Sequence, residues 1–368
     1  MSREIRRQIR SGTFALLRGL ALGLAALRLA ALGFATFGFA IFGCVSLMVG
    51  LSPAQASTVQ NLNLLERSSL PSLELPILES PSLEQTLRSF TLTRPSQLGL
   101  QSSEHLQALT RSLTQSQVIY LGETHDSEPD HQIQLEILQA LQVRNPKLIL
   151  AMEMFQRPYQ SVLDRYFKRE LSEAELVDRT EYRARWGFPW TLYENILRFS
   201  QLKNVPVVAL NTPTEVTRKV SRKGLESLTL ADRRFIPPLS EIQVGPIWYS
   251  DRIQQIYTEM HQGKGNSDGL TRFFQAQVLW DETMADRIAW AVREYPDHQI
   301  VVLVGQGHLL YSDGIPDRVM RRLSPSHPGF SQVSLILNPD PSLPLTDSVT
   351  QRSIADWILQ RTPEPSRP

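Results

Sequence analysis

A single cysteine among 368 residues leaves little room for thiol chemistry. Cys44 has no second cysteine to pair with, so no disulfide frames this chain. It also lies inside an apolar N-terminal run, and a chain cut beyond it has no thiolate nucleophile. No HExxH string occurs, which removes the helical zinc-protease signature. Neither charge sign dominates: 38 Lys and Arg stand against 37 Asp and Glu. Six of the arginines and one glutamate fall within residues 1–56, so the remainder holds 32 basic and 36 acidic side chains, a net −4. A weakly acidic body offers no broad footprint for nucleic acid, and no nucleic-acid-binding motif appears.

What is present begins with a targeting pattern. Arg3, Arg6, Arg7 and Arg10 precede Leu29 to Ser52, which carries no charge, and Ala54-Gln55-Ala56 follows as a small-x-small cleavage site. Residues 1–56 are therefore expected to be a signal peptide or an N-terminal membrane anchor, the uncharged run being long enough for either. The expected location is outside the cytoplasm, in a periplasm or attached to the envelope. Ile41-Phe42-Gly43-Cys44 offers the alternative of a lipoprotein anchored through Cys44. Membrane contact is expected only through this segment.

Residues 57–98 repeat Leu, Ser, Pro and Glu and read as a linker, because proline opposes regular structure. Residues 99–342 alternate apolar β-type runs with helical patterns. Strands are expected at 117–121, 148–152, 206–210, 300–304 and 333–337, and helices at 130–143, 158–170, 189–203, 270–294 and 315–322. This alternation predicts an α/β fold with a mostly parallel sheet flanked by helices. From 211 to 299 no buried strand is evident, which predicts a largely helical insertion over the sheet edge. Residues 343–368 are expected to form a C-terminal helix and a disordered tail.

The chemistry collects where strands end. Val118-Ile119-Tyr120-Leu121 runs into Gly122-Glu123-Thr124-His125, and Ile300 to Val304 runs into Gly305-Gln306-Gly307-His308. A third run, Leu148 to Ala151, ends in Met152-Glu153-Met154. Open parallel sheets build their sites at the carboxyl ends of strands, so these groups are expected in one pocket. Glu123, His125 and His308 are candidate metal ligands. Histidine with carboxylate suits a divalent metal such as zinc, manganese or iron. Glu123 and Glu153 are candidate general bases should the site hydrolyse a bond. Arg183, Arg185, Trp186 and Trp190 form a cationic aromatic stretch suited to a flat anionic ligand. Gln277, Asp281 and Met284 share one helix face, which suggests a helix turned partly toward a polar cavity. Asp130 is placed to cap the helix that begins near His131.

Together the Gly-Glu-x-His-Asp turn, the later Glu153, the Trp-rich stretch, the Ala-Gln-x-x-x-Asp-x-x-Met-Ala helix and the Gly-x-Gly-His turn resemble the ChaN-like family, related to the Tiki and TraB proteins. The resemblance spans about residues 115–325. It implies a haem-binding protein in haem or iron uptake, haem or a small ligand as partner, and a possible homodimer with haem at its interface. Its axial ligand would be a tyrosine outside these motifs, with Tyr159, Tyr193, Tyr249 and Tyr257 all open. The Tiki branch implies the alternative of a metal-dependent hydrolase.

Overall fold

The computed structural model describes residues 81–97, 102–260 and 267–361. The expected N-terminal targeting segment, Cys44 and most of the expected linker lie outside these residues. Among the described residues, no helix is long and apolar enough to cross a membrane.

Among the described residues, seven strands make one sheet: β1 (Phe90–Thr93), β2 (Val118–Glu123), β3 (Leu148–Gln156), β4 (Val207–Asn211), β5 (Gln299–Gly305), β6 (Gln332–Leu337) and β7 (Trp357–Arg361). Their order is β1-β7-β6-β2-β5-β3-β4. Every neighbouring pair is parallel except β1 with β7. All residues of β2, β3, β4 and β5 are buried, as expected of parallel strands covered on both faces. Alternate side chains then feed two cores. Ile119, Leu121, Leu150, Met152, Val301 and Leu303 face one side. There they meet α2 (Ser102–Gln115), α3 (Glu128–Arg144) and α7 (Glu194–Leu202). Val118, Tyr120, Ile149, Ala151, Ile300, Val302 and Val304 face the other.

That second face is covered by α10 (Ser267–Glu294), through Met284, Ala285, Ile288, Ala289 and Val292, and by α11 (Ile315–Leu323). Among its described residues, the segment between β4 and β5 is strandless, with α8 (Thr214–Lys223), α9 (Ile247–Met260) and α10 in it. It does not only border the sheet edge, as the sequence suggested: the apolar stripe of α10 is long enough to cover a sheet face.

Two further expectations are corrected. The linker does not extend to residue 98, since α1 (Leu83–Leu87) and β1 lie within it. Leu83, Leu87 and Phe90 are buried in the first core. Ser82 and Gln85 form a capping box that starts α1 despite the flanking prolines. In the described part of 343–368 the regular element is strand β7, where a helix was expected. Trp357-Ile358-Leu359 is too short an apolar run to register as a strand without its partners β1 and β6.

Candidate active site at the carboxyl edge of the sheet

The register decides what meets. Glu123 ends β2 opposite Gly305 of β5, and Met152 of β3 lies opposite Leu303. Glu123, Glu153 and the turns bearing His125 and His308 are thus brought to one edge.

Glu123 is buried to 1% exposure. Its carboxylate accepts from Tyr193 Oη at 2.5 Å and Gln134 Nε2 at 2.8 Å, and faces His125 Nδ1 at 2.9 Å. His131 Nδ1 stands 3.4 Å away. Burial alone would raise the Glu123 pKa, but His125 and His131 outweigh it and hold the carboxyl far below the usual range. Burial likewise pulls His131 down, and Glu123 raises it above its ordinary value. His131 Nε2 lies 3.1 Å from the His125 carbonyl, to which it donates. Asp130 does not cap α3; Ser127 does. The fully buried Asp130 instead accepts from the Thr124 amide at 2.8 Å and Asn338 Nδ2 at 2.6 Å, tying this turn to the end of β6.

The second half of the site is a chain of partners. Glu153 accepts the Gly305 amide at 2.8 Å and faces His308 Nε2 at 3.4 Å. His308 Nδ1 meets Asp281 Oδ1 at 2.5 Å, and Asp281 Oδ2 accepts from Tyr249 Oη at 2.6 Å. Burial opposes charge on His308, yet Glu153 and Asp281 prevail and push its pKa up to about 10. Burial would raise Glu153, but the His308 charge lowers it. At neutral pH the site is therefore ionic, with its charges paired inside the protein.

Gly305 marks how closely the halves pack. A Cβ there would lie 2.7 Å from His125 Cε1 and 2.9 Å from Nε2. The need is space, because its φ of −57° suits any residue.

His125 and Glu153 open onto a cleft of about 830 Å³, a volume that includes its mouth. Trp186, Phe188, Phe273 and Trp280 supply its aromatic lining; Arg185 and Arg218 supply cations. Trp186 meets His125 edge-on at 4.8 Å between ring centres, and Phe188 approaches it at 5.1 Å.

Of the residues singled out from sequence, Glu123, His125, Glu153, Asp281 and His308 come together, and Arg185 and Trp186 join them at the cleft. Arg183 is exposed, outside the cleft lining. Trp190 donates to Glu173 at 2.8 Å and packs on Tyr182, also away from the lining. Gln277 is buried one turn before Asp281 without lining the cleft. Glu123, His125 and His308 do not form a joint ligand set. Among the described residues, no three His, Cys, Asp or Glu side chains are grouped to hold a metal ion. The reason is pairing: Glu123 serves Tyr193, Gln134 and the histidines, while His308 serves Asp281 and Glu153. Tyr193 and Tyr249 are likewise engaged by these carboxylates. Sequence reasoning gave no role to Gln134 and Arg218. The i, i+3 spacing of His131 and Gln134 was a usable sign that one α3 face points at the site.

A family model described as haem-binding uptake, Tiki superfamily, ChaN matches residues 109–319, more than half of the chain. Among curated proteins, the chain is 26% identical over 250 residues to Protein RETICULATA-RELATED 5, chloroplastic, of Arabidopsis thaliana. That alignment covers 62% of this chain and 32% of the relative, so the chain spans about a third of the relative's length. Among solved structures, ChaN of Campylobacter jejuni, described with cofacial heme binding, superposes with a TM-score of 0.53 at 19% identity. The match covers 73% of this chain and 96% of that one, a likeness of fold.

Proposed function

From the chain's membership of the haem-binding uptake family of the Tiki superfamily, ChaN, we propose that this protein binds haem in the strand-end cleft and serves haem or iron handling in the cell envelope. The observation that carries this reading is the cleft itself. Haem needs apolar walls for a flat macrocycle and cations for its carboxylates. Trp186 and Phe188 come from the segment after β3, Phe273 and Trp280 from α10, and Arg185 and Arg218 stand among them. The rings and cations of the lining thus fit the macrocycle and its propionates. When bound, haem would supply the redox-active iron. The protein's part is to exclude water with its rings, pair the propionates and hold His125 against Glu123.

The test is a haemin titration of the full chain followed at the Soret band. Saturation at a fixed stoichiometry is expected. Trp186→Ala removes much of one apolar wall and should weaken binding about tenfold, the equivalent of ~1.4 kcal/mol. Absence of a saturable Soret shift would overturn the reading.

A second reading rests on a different observation. His125 and the ionised Glu153 both face the cleft, each backed by a buried partner, as a general base must be. On this reading Glu153 or His125 activates water against an ester or amide, and Glu153→Gln would abolish hydrolysis while leaving haem affinity within about threefold, since a neutral isostere keeps the cleft's shape. Export is part of the first reading, with cleavage after Ala56 supported by the Arg-rich start and the uncharged run. N-terminal sequencing of the native protein that found Met1 or Cys44 would reject that cleavage.

A further inference from the structure

One wall of the cleft is explained by neither the strand-end histidines nor the rings. Helix α8 turns Val216 and Val220 into a small apolar cluster with Leu228, Ile236, Ala276 and Leu279. Another stripe, Thr214, Thr217, Arg218 and Ser221, lines the cleft. That spacing of i, i+3, i+4 and i+7 is a single helix face. It is polar where an aromatic cleft would ordinarily be closed by apolar side chains.

Arg218 is the charged member of this stripe. It is half-buried and has no carboxylate partner among the described residues. Cations nearby are satisfied: Lys219 holds Asp232 at 2.6 Å, and Arg185 holds Glu181 at 3.0 Å and Glu215 at 2.9 Å. Removing a guanidinium from water without a counter-charge costs free energy, and an incoming anion would offset that cost. At the sheet end of the same cleft the polarity reverses. Glu153 is ionised there, and Thr212, only 1% exposed, has an Oγ1 with no hydrogen-bond partner among the described residues. An acidic group is repelled at that end, and a hydrogen-bond donor is accepted.

We propose that Arg218 is the anion-selecting residue of the cleft, pairing with the carboxylate or sulfonate of a flat aromatic ligand whose acidic group is kept away from the strand end by Glu153. This deepens the haem-binding reading and rests on it only for the identity of the ring system; for haem the paired group is a propionate. The helix face, the rings and the buried hydroxyl stand independently of which aromatic anion occupies the cleft.

The test compares probes that differ in charge. Full-length protein is titrated with anilinonaphthalene sulfonate and with neutral N-phenylnaphthylamine by fluorescence, and with haemin and its dimethyl ester by absorbance. Wild type should bind each anionic probe at least about tenfold more tightly than its neutral counterpart, as a partly desolvated charge-assisted pair allows. Arg218→Gln should erase that preference while leaving the neutral probes within about twofold. Arg218→Lys should keep part of it, having charge without the planar fork. Arg183→Gln, at an exposed arginine outside the cleft, should change nothing. Arg218→Gln retaining the wild-type preference, with circular dichroism unchanged, would overturn the proposal, as would wild type binding no anionic probe. Sulfonate binding that depends on Arg218 without haemin binding would remove the haem reading and keep the anion site. Haemin binding indifferent to Arg218 would do the reverse.

Discussion

His308 shows how a single residue ties stability to the site. Its ordinary pKa is 6.5, and Glu153 and Asp281 hold it at about 10 against burial. A raised folded-state pKa stabilises fully below about 6.5 and loses that contribution as pH climbs through about 10. Glu153, being lowered, contributes the other way: its share is present above its ordinary value of 4.5 and fades as pH falls through the depressed one. The window of greatest support lies between. Asp281→Asn leaves the imidazolium short of one buried counter-charge, and loss of one partner of a buried pair costs ~3–5 kcal/mol. Urea denaturation at pH 7 should show a loss of that order, and the gap to wild type should narrow near pH 10, where His308 gives up its proton in both proteins. An equal gap at both pH values would mean that Asp281 acts by packing alone. Thr212 makes the opposite case. Its buried hydroxyl lacks a partner among the described residues, and an unsatisfied buried polar group costs about 1–3 kcal/mol. Thr212→Val keeps the shape, so it should raise the melting temperature of the ligand-free protein while weakening ligands that present a donor to the strand end. A lower melting temperature would show that the hydroxyl is satisfied.

At the scale of elements, the turn after β5 carries the site, and its glycines are needed for space. A Cβ on Gly314 would lie 2.1 Å from the His308 carbonyl oxygen, a backbone atom that cannot swing aside. Gly305→Ala meets a side chain, the His125 ring, which is packed against Trp186 and Phe188. Overpacking of this kind costs about 1–3 kcal/mol. Gly314→Ala is therefore expected to destabilise more than Gly305→Ala, and the latter to lose more ligand affinity, because it displaces the histidine at the cleft. Thermal melts and probe titrations of the two variants separate these effects. The strand-end glutamates and histidines were legible in the sequence because parallel strands write themselves as short β-rich runs, and a polar turn at each end is visible by contrast. Their partners were not. Gln134 and Tyr249 sit on helices whose faces are mixed and Tyr193 in the turn just before α7, so nothing local distinguishes a polar side chain that meets a buried carboxylate from one that meets water. Arg218 was hidden for the same reason: α8 reads as an ordinary polar helix until the cleft is placed beside it. Arg183 and Trp190 erred in the other direction, since adjacency in sequence to Arg185 and Trp186 is not adjacency in space on a short helical turn.

For the whole molecule, the two ends of the described chain meet at one edge of the sheet, which the sequence could not indicate. β1 follows a proline-rich stretch and β7 precedes the C terminus, and each reads as loop until paired. Phe90 lies opposite Arg361, and Thr93 opposite Ile358. Trp357 is the joint. It is 1% exposed, meets the His105 ring of α2 edge-on at 5.8 Å, and has the Arg94 guanidinium 5.3 Å above its own ring. One side chain thus links the segment after β1, helix α2 and the C-terminal strand. Such a residue tests whether the edge strands belong to the cooperative unit or are an appendage to it. Trp357→Ala opens a large cavity where three elements converge, and truncation of a buried Trp costs ~3–5 kcal/mol. If the edge folds with the core, that loss moves the whole unfolding transition, and far-ultraviolet dichroism and tryptophan fluorescence keep a common midpoint. If β1 and β7 are an appendage, the fluorescence and dichroism midpoints separate, and a broad early phase precedes a main transition at the wild-type position. The buried leucines of α1 in the first core favour the former outcome, because Leu83 and Leu87 fill the same core as Ile119 and Leu121 of the central strand.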